Sequence, residues 1–175
     1  NLFRSKFTIT NTFFDKAFSD GLDSDFSEGI ISNTSFDNLG NDGLDISGSQ
    51  VEMYSTKFAN INDKAISAGE KSKLVASLIE ISDSGIALAS KDLSSILLKN
   101  VEIYNVDLCL TAFQKKSEYG PASITIKGKK FNDCSENYLL EIGSNILLNN
   151  KTLLSNSIKV IDQLYGNKYG TKTIK

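Results

Sequence analysis

A self-similarity with a period near 22 residues constrains this chain more than any other feature. Asp20-Gly21-Leu22-Asp23 recurs as Asp42-Gly43-Leu44-Asp45 and, with its charges changed, as Lys64-Ala65-Ile66-Ser67. The first inward residue of the strand after each polar turn is Phe7, Gly29, Val51, Leu74, Ile96, Ile124 and Ile146, at spacings of 22, 22, 23, 22, 28 and 22. Two residues further lies a second column, Ile9, Ile31, Met53, Ala76, Leu98, Ile126 and Leu148, as the two-residue period of a strand requires. Seven past each anchor comes a third: Phe14, Phe36, Phe58, Ile81, Ile103, Phe131 and Leu153. A fourth, Leu22, Leu44, Ile66, Leu88 and Leu110, belongs to another strand of each turn. Asn38 with Gly40, Asn60 with Asn62, Asp83 with Gly85, Asn105, and Asn132 with Asp133 separate the columns and suit bent, left-handed corners.

A rung of ~22 residues is too long for a hexapeptide solenoid and lacks the consensus of a leucine-rich repeat. The pattern predicts an all-β, right-handed parallel β-helix of about seven rungs, a rod ~34 Å tall at ~4.8 Å per rung. Alternating apolar residues and recurrent Gly and Asn argue against helices. The main rival is an antiparallel sandwich, which constant spacing without reversal disfavours. The solenoid is expected over residues 1–154, with 155–175 as an irregular C-terminal turn or cap. The start, Asn1-Leu2-Phe3-Arg4, is neither an initiator methionine nor a secretion signal. A piece of a longer protein, preceded by further rungs or a cap, is therefore expected.

Charge is nearly balanced, 19 Lys and Arg against 21 Asp and Glu, so no basic excess points to a nucleic-acid partner. There is no histidine, which excludes Ser-His-Asp and Cys-His catalysis and the usual histidine zinc sites. Cys109 and Cys134 read as small core or turn residues, with a disulfide as the lesser alternative. No run of 18 apolar residues is present, so no membrane-spanning helix is expected.

In the 22-residue register Asp20 lies beneath Asp42 and Asp23 beneath Asp45. Like charges ~5 Å apart cost about 3 kcal/mol per pair at an effective dielectric of ~20, before solvent screening. A calcium ion would offset this, held by Asp20, Asp23, Asn41, Asp42 and Asp45, with Asp25 or Asp63 completing the oxygen shell. Two alternatives remain open: Lys64, which the register places above Asp42, supplies the counter-charge, or the acids are solvated turn residues.

At the far end of the same strands the segments lengthen, through Gly69-Glu70-Lys71-Ser72 and Ser90-Lys91-Asp92 to Gln114-Lys115-Lys116-Ser117-Glu118-Tyr119-Gly120-Pro121, which accounts for the 28-residue spacing. Insertions into one rung of a solenoid project from one face and commonly carry function. Glu70, Asp92, Gln114, Lys115, Lys116, Glu118 and Tyr119 are the candidate substrate-binding residues. A merely solvated charged face is the alternative.

These stretches, from Asp23–Ser49 through Asp63–Ser72 and Gly85–Ser94 to Ala112–Ala122, resemble the right-handed parallel β-helix repeat proteins of bacteria. That resemblance implies a secreted or cell-surface location. The pair Asp20-Gly21-Leu22-Asp23 and Asn41-Asp42-Gly43-Leu44-Asp45 is also similar to the DGxD and DDGxD rungs of calcium-dependent β-helical polysaccharide lyases, with Asn41 in place of an Asp. The likeness implies a base lysine near Ile66 or Ser67, where this chain has none; Lys71 and Lys91 are the nearest substitutes. The resulting expectation is an extracellular β-helix that binds or processes an acidic polysaccharide on its lateral face. A structural or adhesive module without catalytic activity is the alternative.

Overall fold

A computed structural model of the chain describes residues 1–166. It is a parallel β-solenoid of about seven turns, roughly 22 residues apart. Each turn has three sides. The first side stacks β2 (Lys6–Thr10) on the start of β5 (Glu28–Leu39), then on the starts of β7 (Gln50–Gly69), β8 (Lys73–Lys91), β9 (Ser95–Phe113) and β10 (Ser123–Leu140), and ends at β11 (Asn145–Leu148). The second side starts with β3 (Phe13–Asp15) and continues in the middle of the long strands. The third starts with β1 (Leu2–Phe3), β4 (Leu22–Asp25) and β6 (Leu44–Ser47) and continues in the last residues of β7 to β10.

The ladder pairs Phe7, Gly29, Val51, Leu74, Ile96, Ile124 and Ile146 in succession, which is the anchor column of the sequence. The Phe column pairs likewise through Phe131. Its seventh member does not: after Leu148 the chain reverses through Asn149 and Asn150, both at positive φ, and β12 (Lys151–Thr152) runs antiparallel to β11. Leu153 therefore packs against the core from a returning strand.

Three left-handed corners let a continuous strand close into a coil. One column of positive φ runs Asn11, Asn33, Ser55, Leu78, Asn100 and Gly128; a second runs Asn38, Asn60, Asp83, Asn105 and Asp133; the third includes Arg4, Phe26, Gly48, Lys71 and Leu93. Asn, Asp and Gly tolerate this conformation best, and the corner amides still pair across turns, as from Asn11 N–H to Ser32 O at 3.1 Å and from Phe26 N–H to Ser47 O at 2.8 Å. At the second corner the side chains form a ladder as well, with Asn60 Nδ2 donating to Asp37 Oδ1 at 2.8 Å.

The core is columnar. The rings of Phe14, Phe36 and Phe58 stack with centroids 4.7 and 4.8 Å apart and planes within 5°, so ring spacing and strand spacing coincide. At the corner that leads into the first side runs a serine column, two residues before most anchors. The N–H groups of Ser5, Ser27, Ser49 and Ser72 donate to Oγ of Ser27, Ser49, Ser72 and Ser94, at 2.9 to 3.1 Å. Ala122 N–H donates to Ser144 Oγ at 3.0 Å and continues the pattern.

Helix α1 (Val160–Leu164) packs its Val160 and Leu164 on Ile86, Ala89, Leu108, Phe113 and Leu139. The outward column of the third side runs Asp23, Asp45, Ser67, Ala89, Thr111 and Leu139. It changes from acidic to apolar toward the turns that α1 covers. Residues 167–175 of the C-terminal segment lie outside the described residues.

Cys109 and Cys134 are joined in a disulfide, with Cα atoms 5.8 Å apart. The reading of the two as simple core residues gives way to a covalent link between β9 and β10. Inserting the loop at 114–121 lengthens the sequence distance between them while leaving the turns stacked.

Replacing Ser49 by Ala removes a buried acceptor and strands the Ser27 amide, at about 1–3 kcal/mol; a urea melt indistinguishable from the parent's would refute a structural role for the serine column. Reducing the disulfide frees a 25-residue loop and is expected to cost about 3 kcal/mol, read as a lower midpoint with dithiothreitol than without.

Candidate functional site

The structure gathers most of the sequence-identified residues on the third side and its two flanking corners. Asp20 is occupied by backbone and amide groups, for its Oδ1 accepts Asn41 Nδ2 at 2.6 Å and Asp42 N–H at 2.9 Å. One turn higher Asp42 repeats the arrangement, with Oδ1 accepting Lys64 N–H at 3.0 Å. The carboxylates at this corner thus hold the next turn's backbone, as Asp side chains do at turns.

Lys64 supplies the counter-charge. Its Nζ lies 3.4 Å from Asp42 Oδ1 and 2.5 Å from Asp63 Oδ2, and the side chains of Lys64 and Asp42 are 7% and 4% exposed. Burial works against the Lys64 ammonium, but Asp42 and Asp63 outweigh it and raise its pKa. The Asp42 carboxyl is pushed up to about 7, chiefly by burial, with Lys64 pulling the other way. One ammonium between two carboxyls leaves the more buried acid the easier to protonate.

Asp23 and Asp45 stand one above the other. Asp23 Oδ2 accepts Asn1 Nδ2 at 2.8 Å, while burial and then the charges of Asp25, Asp45 and Asp20 raise its pKa. Burial, Asp45 and Glu70 do the same to Asp25, opposed by Lys116. Lys91 approaches Asp45 at 3.8 Å, running across Gly69, where a Cβ would stand 3.3 Å from its Cε. Two lysines, Lys64 and Lys91, therefore face the acidic edge. Among the described residues no three Asp, Glu or Cys side chains group closely enough to hold a metal ion together.

The loop at 114–121 is braced by its own polar groups. Buried Asp92 accepts the N–H groups of Lys115 and Lys116, both at 2.7 Å. Gln114 Nε2 donates to the carbonyls of Lys116, Ser117 and Tyr119, and Gln114 N–H to Glu141 Oε2 at 2.6 Å. Lys116 pairs with Glu70, Lys71 lies 5.7 Å from the Tyr119 ring centroid, and Lys115 lies 4.9 Å from that of Tyr165. Glu118 is exposed. Most of these groups hold the loop to the solenoid rather than face an open cavity.

An open concavity lies elsewhere, along the corner between the first and second sides. It holds about 400 Å³ and is lined by Lys57, Leu78, Glu80, Asn100, Glu102 and Lys130, among others. Buried Ile79 and Val101 lie beneath, and Leu78 is 46% exposed. Lys57 pairs with Glu80 at 2.9 Å and Lys130 with Glu102 at 3.2 Å, so similar ion pairs recur along its wall. Lys99 and Lys127, adjacent in the ladder, flank it. The periodicity alone does not mark this groove, although its corner column of Ser55, Leu78, Asn100 and Gly128 sits four residues past the anchors in the same register.

No protein-family model matches the chain, and neither a curated protein nor a solved structure is significantly similar to it.

The raised Asp42 pKa ties stability to pH. A folded-state value of about 7, above the ordinary 3.8, contributes stability that is complete below ~3.8 and is lost as pH rises through ~7. With no histidine in the chain, few other groups titrate in the upper part of that window, from about pH 5 to about pH 7. The thermal midpoint should fall between about pH 5 and about pH 7, and Asp42→Asn should flatten that fall; parallel curves for the two proteins would contradict the assignment.

Proposed function

We propose that this protein is an extracellular parallel β-helix that binds an acidic polysaccharide on its lateral face, along the corner groove of Ser55, Leu78, Asn100 and Gly128. The supporting observation is the groove itself: exposed Leu78, set over buried Ile79 and Val101, between hydrophilic walls that repeat with the rungs. Such a surface suits an extended polymer of repeating units, whose ring faces meet aliphatic side chains while hydroxyl groups meet amides and charges. Lys57, Lys99, Lys127, Lys129 and Lys130 lie in or beside it against Glu80 and Glu102, an excess that favours polyanionic chains and makes binding salt-dependent. The disulfide accords with an oxidising compartment. Binding without turnover fits the site best, because Lys91, a candidate base, is directed at Asp45, while Lys71 lies against Tyr119.

The test separates binding from folding at one residue. Leu78 occupies the left-handed region at φ 56°, where Asn is better tolerated by about 1 kcal/mol. Leu78→Asn should therefore raise the thermal midpoint while weakening retardation in gels containing polygalacturonate, alginate or chondroitin sulfate. Parent protein that migrates unretarded through all three gels would instead favour a structural or adhesive spacer.

A further inference from the structure

The corner groove differs between its two ends. With the turn of Phe7 counted as the first, its first-side rim runs Tyr54, Ser77, Lys99 and Lys127 from the third turn to the sixth, and its second-side rim runs Lys57, Glu80, Glu102 and Lys130. In the third and fourth turns the charges cancel, for Glu80 takes Lys57 at 2.9 Å and the Tyr104 hydroxyl at 3.3 Å. That half presents the Tyr54 ring, 51% exposed, and Leu78. In the fifth and sixth turns four exposed lysines, Lys99, Lys127, Lys129 and Lys130, stand against one acid, Glu102, which Lys130 already engages. The groove also stops there. Among the described residues the second side has no strand above β10, and the chain turns back at Asn149 and Asn150, with Asn149 Oδ1 accepting Gly128 N–H at 2.8 Å.

Resting on the reading of this groove as a polysaccharide site, we propose that it takes its ligand in one direction. A uronic-acid end group lies among Lys99, Lys127, Lys129 and Lys130, and uncharged sugars extend back over Leu78 to Tyr54. The ligand class is therefore a chain that ends in an acid and continues in neutral rings, rather than a polyuronate with a carboxylate on every ring.

Charge and apolar surface assign the two ends. Lys99 and Lys127 are neighbours in the ladder, so their ammonium groups repel each other and an anion between them relieves both. A carboxylate placed two turns lower meets the compensated Lys57–Glu80 pair and gains little. At that lower end an aromatic face and an aliphatic side chain offer the surface on which the apolar face of a neutral ring packs. Turns ~4.8 Å apart come close to the advance of one pyranose ring along an extended chain, so the four turns hold about four rings. Reversing the ligand would set its acid beside Glu80 and a neutral ring against bare ammonium groups.

Glucuronosyl-xylotriose, xylotetraose and tetragalacturonate, titrated into the full chain at low salt and followed by amide NMR, test the assignment. The first should bind about tenfold more tightly than neutral xylotetraose, and tetragalacturonate no more than about threefold more tightly than the first. Lys127→Gln should weaken the glucuronosyl probe about fivefold and leave xylotetraose unchanged, whereas Tyr54→Ala should weaken both. Both side chains are exposed, so unchanged circular dichroism is expected of each variant. A nitroxide on the reducing end of the glucuronosyl probe should broaden the amides of Tyr54 and Ser55 more than those of Lys127 and Gly128. A label that broadens the sixth turn more, tetragalacturonate bound more than about tenfold tighter than the glucuronosyl probe, or probes that shift no groove amide in a protein the polysaccharide gels still retard would each overturn this inference and leave polysaccharide binding in place. Free migration through those gels, with no amide shifted by any probe, would remove the underlying reading and this inference with it.

Discussion

Hydrogen bonding between successive turns is the constraint on which the rest of this structure depends. A coil of 22 residues has no globular interior, so its backbone polar groups are satisfied by the turns above and below. The requirement extends to the corners, where a sheet would ordinarily lose its pairing. Left-handed residues bend the chain there while their amides continue to donate to the next turn. Serine hydroxyls and corner carboxylates accept the amides that the ladder leaves over. Apolar burial follows the same axis, with like side chains stacked at the strand spacing.

This arrangement also explains the acidic edge. Stacking places equivalent residues one strand spacing apart, so a charge retained from turn to turn meets its own kind. The column Asp20, Asp42, Lys64 relieves this by changing sign at its third member, and Lys91 reaches back across Gly69 toward Asp45. Acids that repeat in sequence can thus be parts of a corner before they are parts of a site. The same stacking makes lateral surfaces into arrays, which is why the corner groove reads as a pattern along the axis.

The repeat made most of the fold legible before any coordinates. Anchor, second and Phe columns pair as their spacing required, because a parallel ladder with a fixed turn length preserves register from residue to residue. The serine column is equally present in that register, but a lone Ser before a strand resembles any turn residue until its stacked partners are seen. Leu153 followed the period without following the ladder. The reversal at Asn149 and Asn150 comes from local backbone conformation, to which a column of apolar residues is blind.

What the sequence by itself determined is the solenoid: its turn length, its inward columns and the rung that carries the insertion, all one-dimensional properties set by periodic hydrophobicity and turn chemistry. Tertiary structure alone decided which charges meet and which surfaces stay open. Lys91 reaching past Gly69 to Asp45, Asp92 accepting two loop amides, Cys109 bonding Cys134, and α1 covering the apolar end of the third side all depend on side-chain direction and on chain returning from far away. Those contacts connect residues by height and angle around the coil, and the 22-residue period fixes the height while leaving the angle to packing.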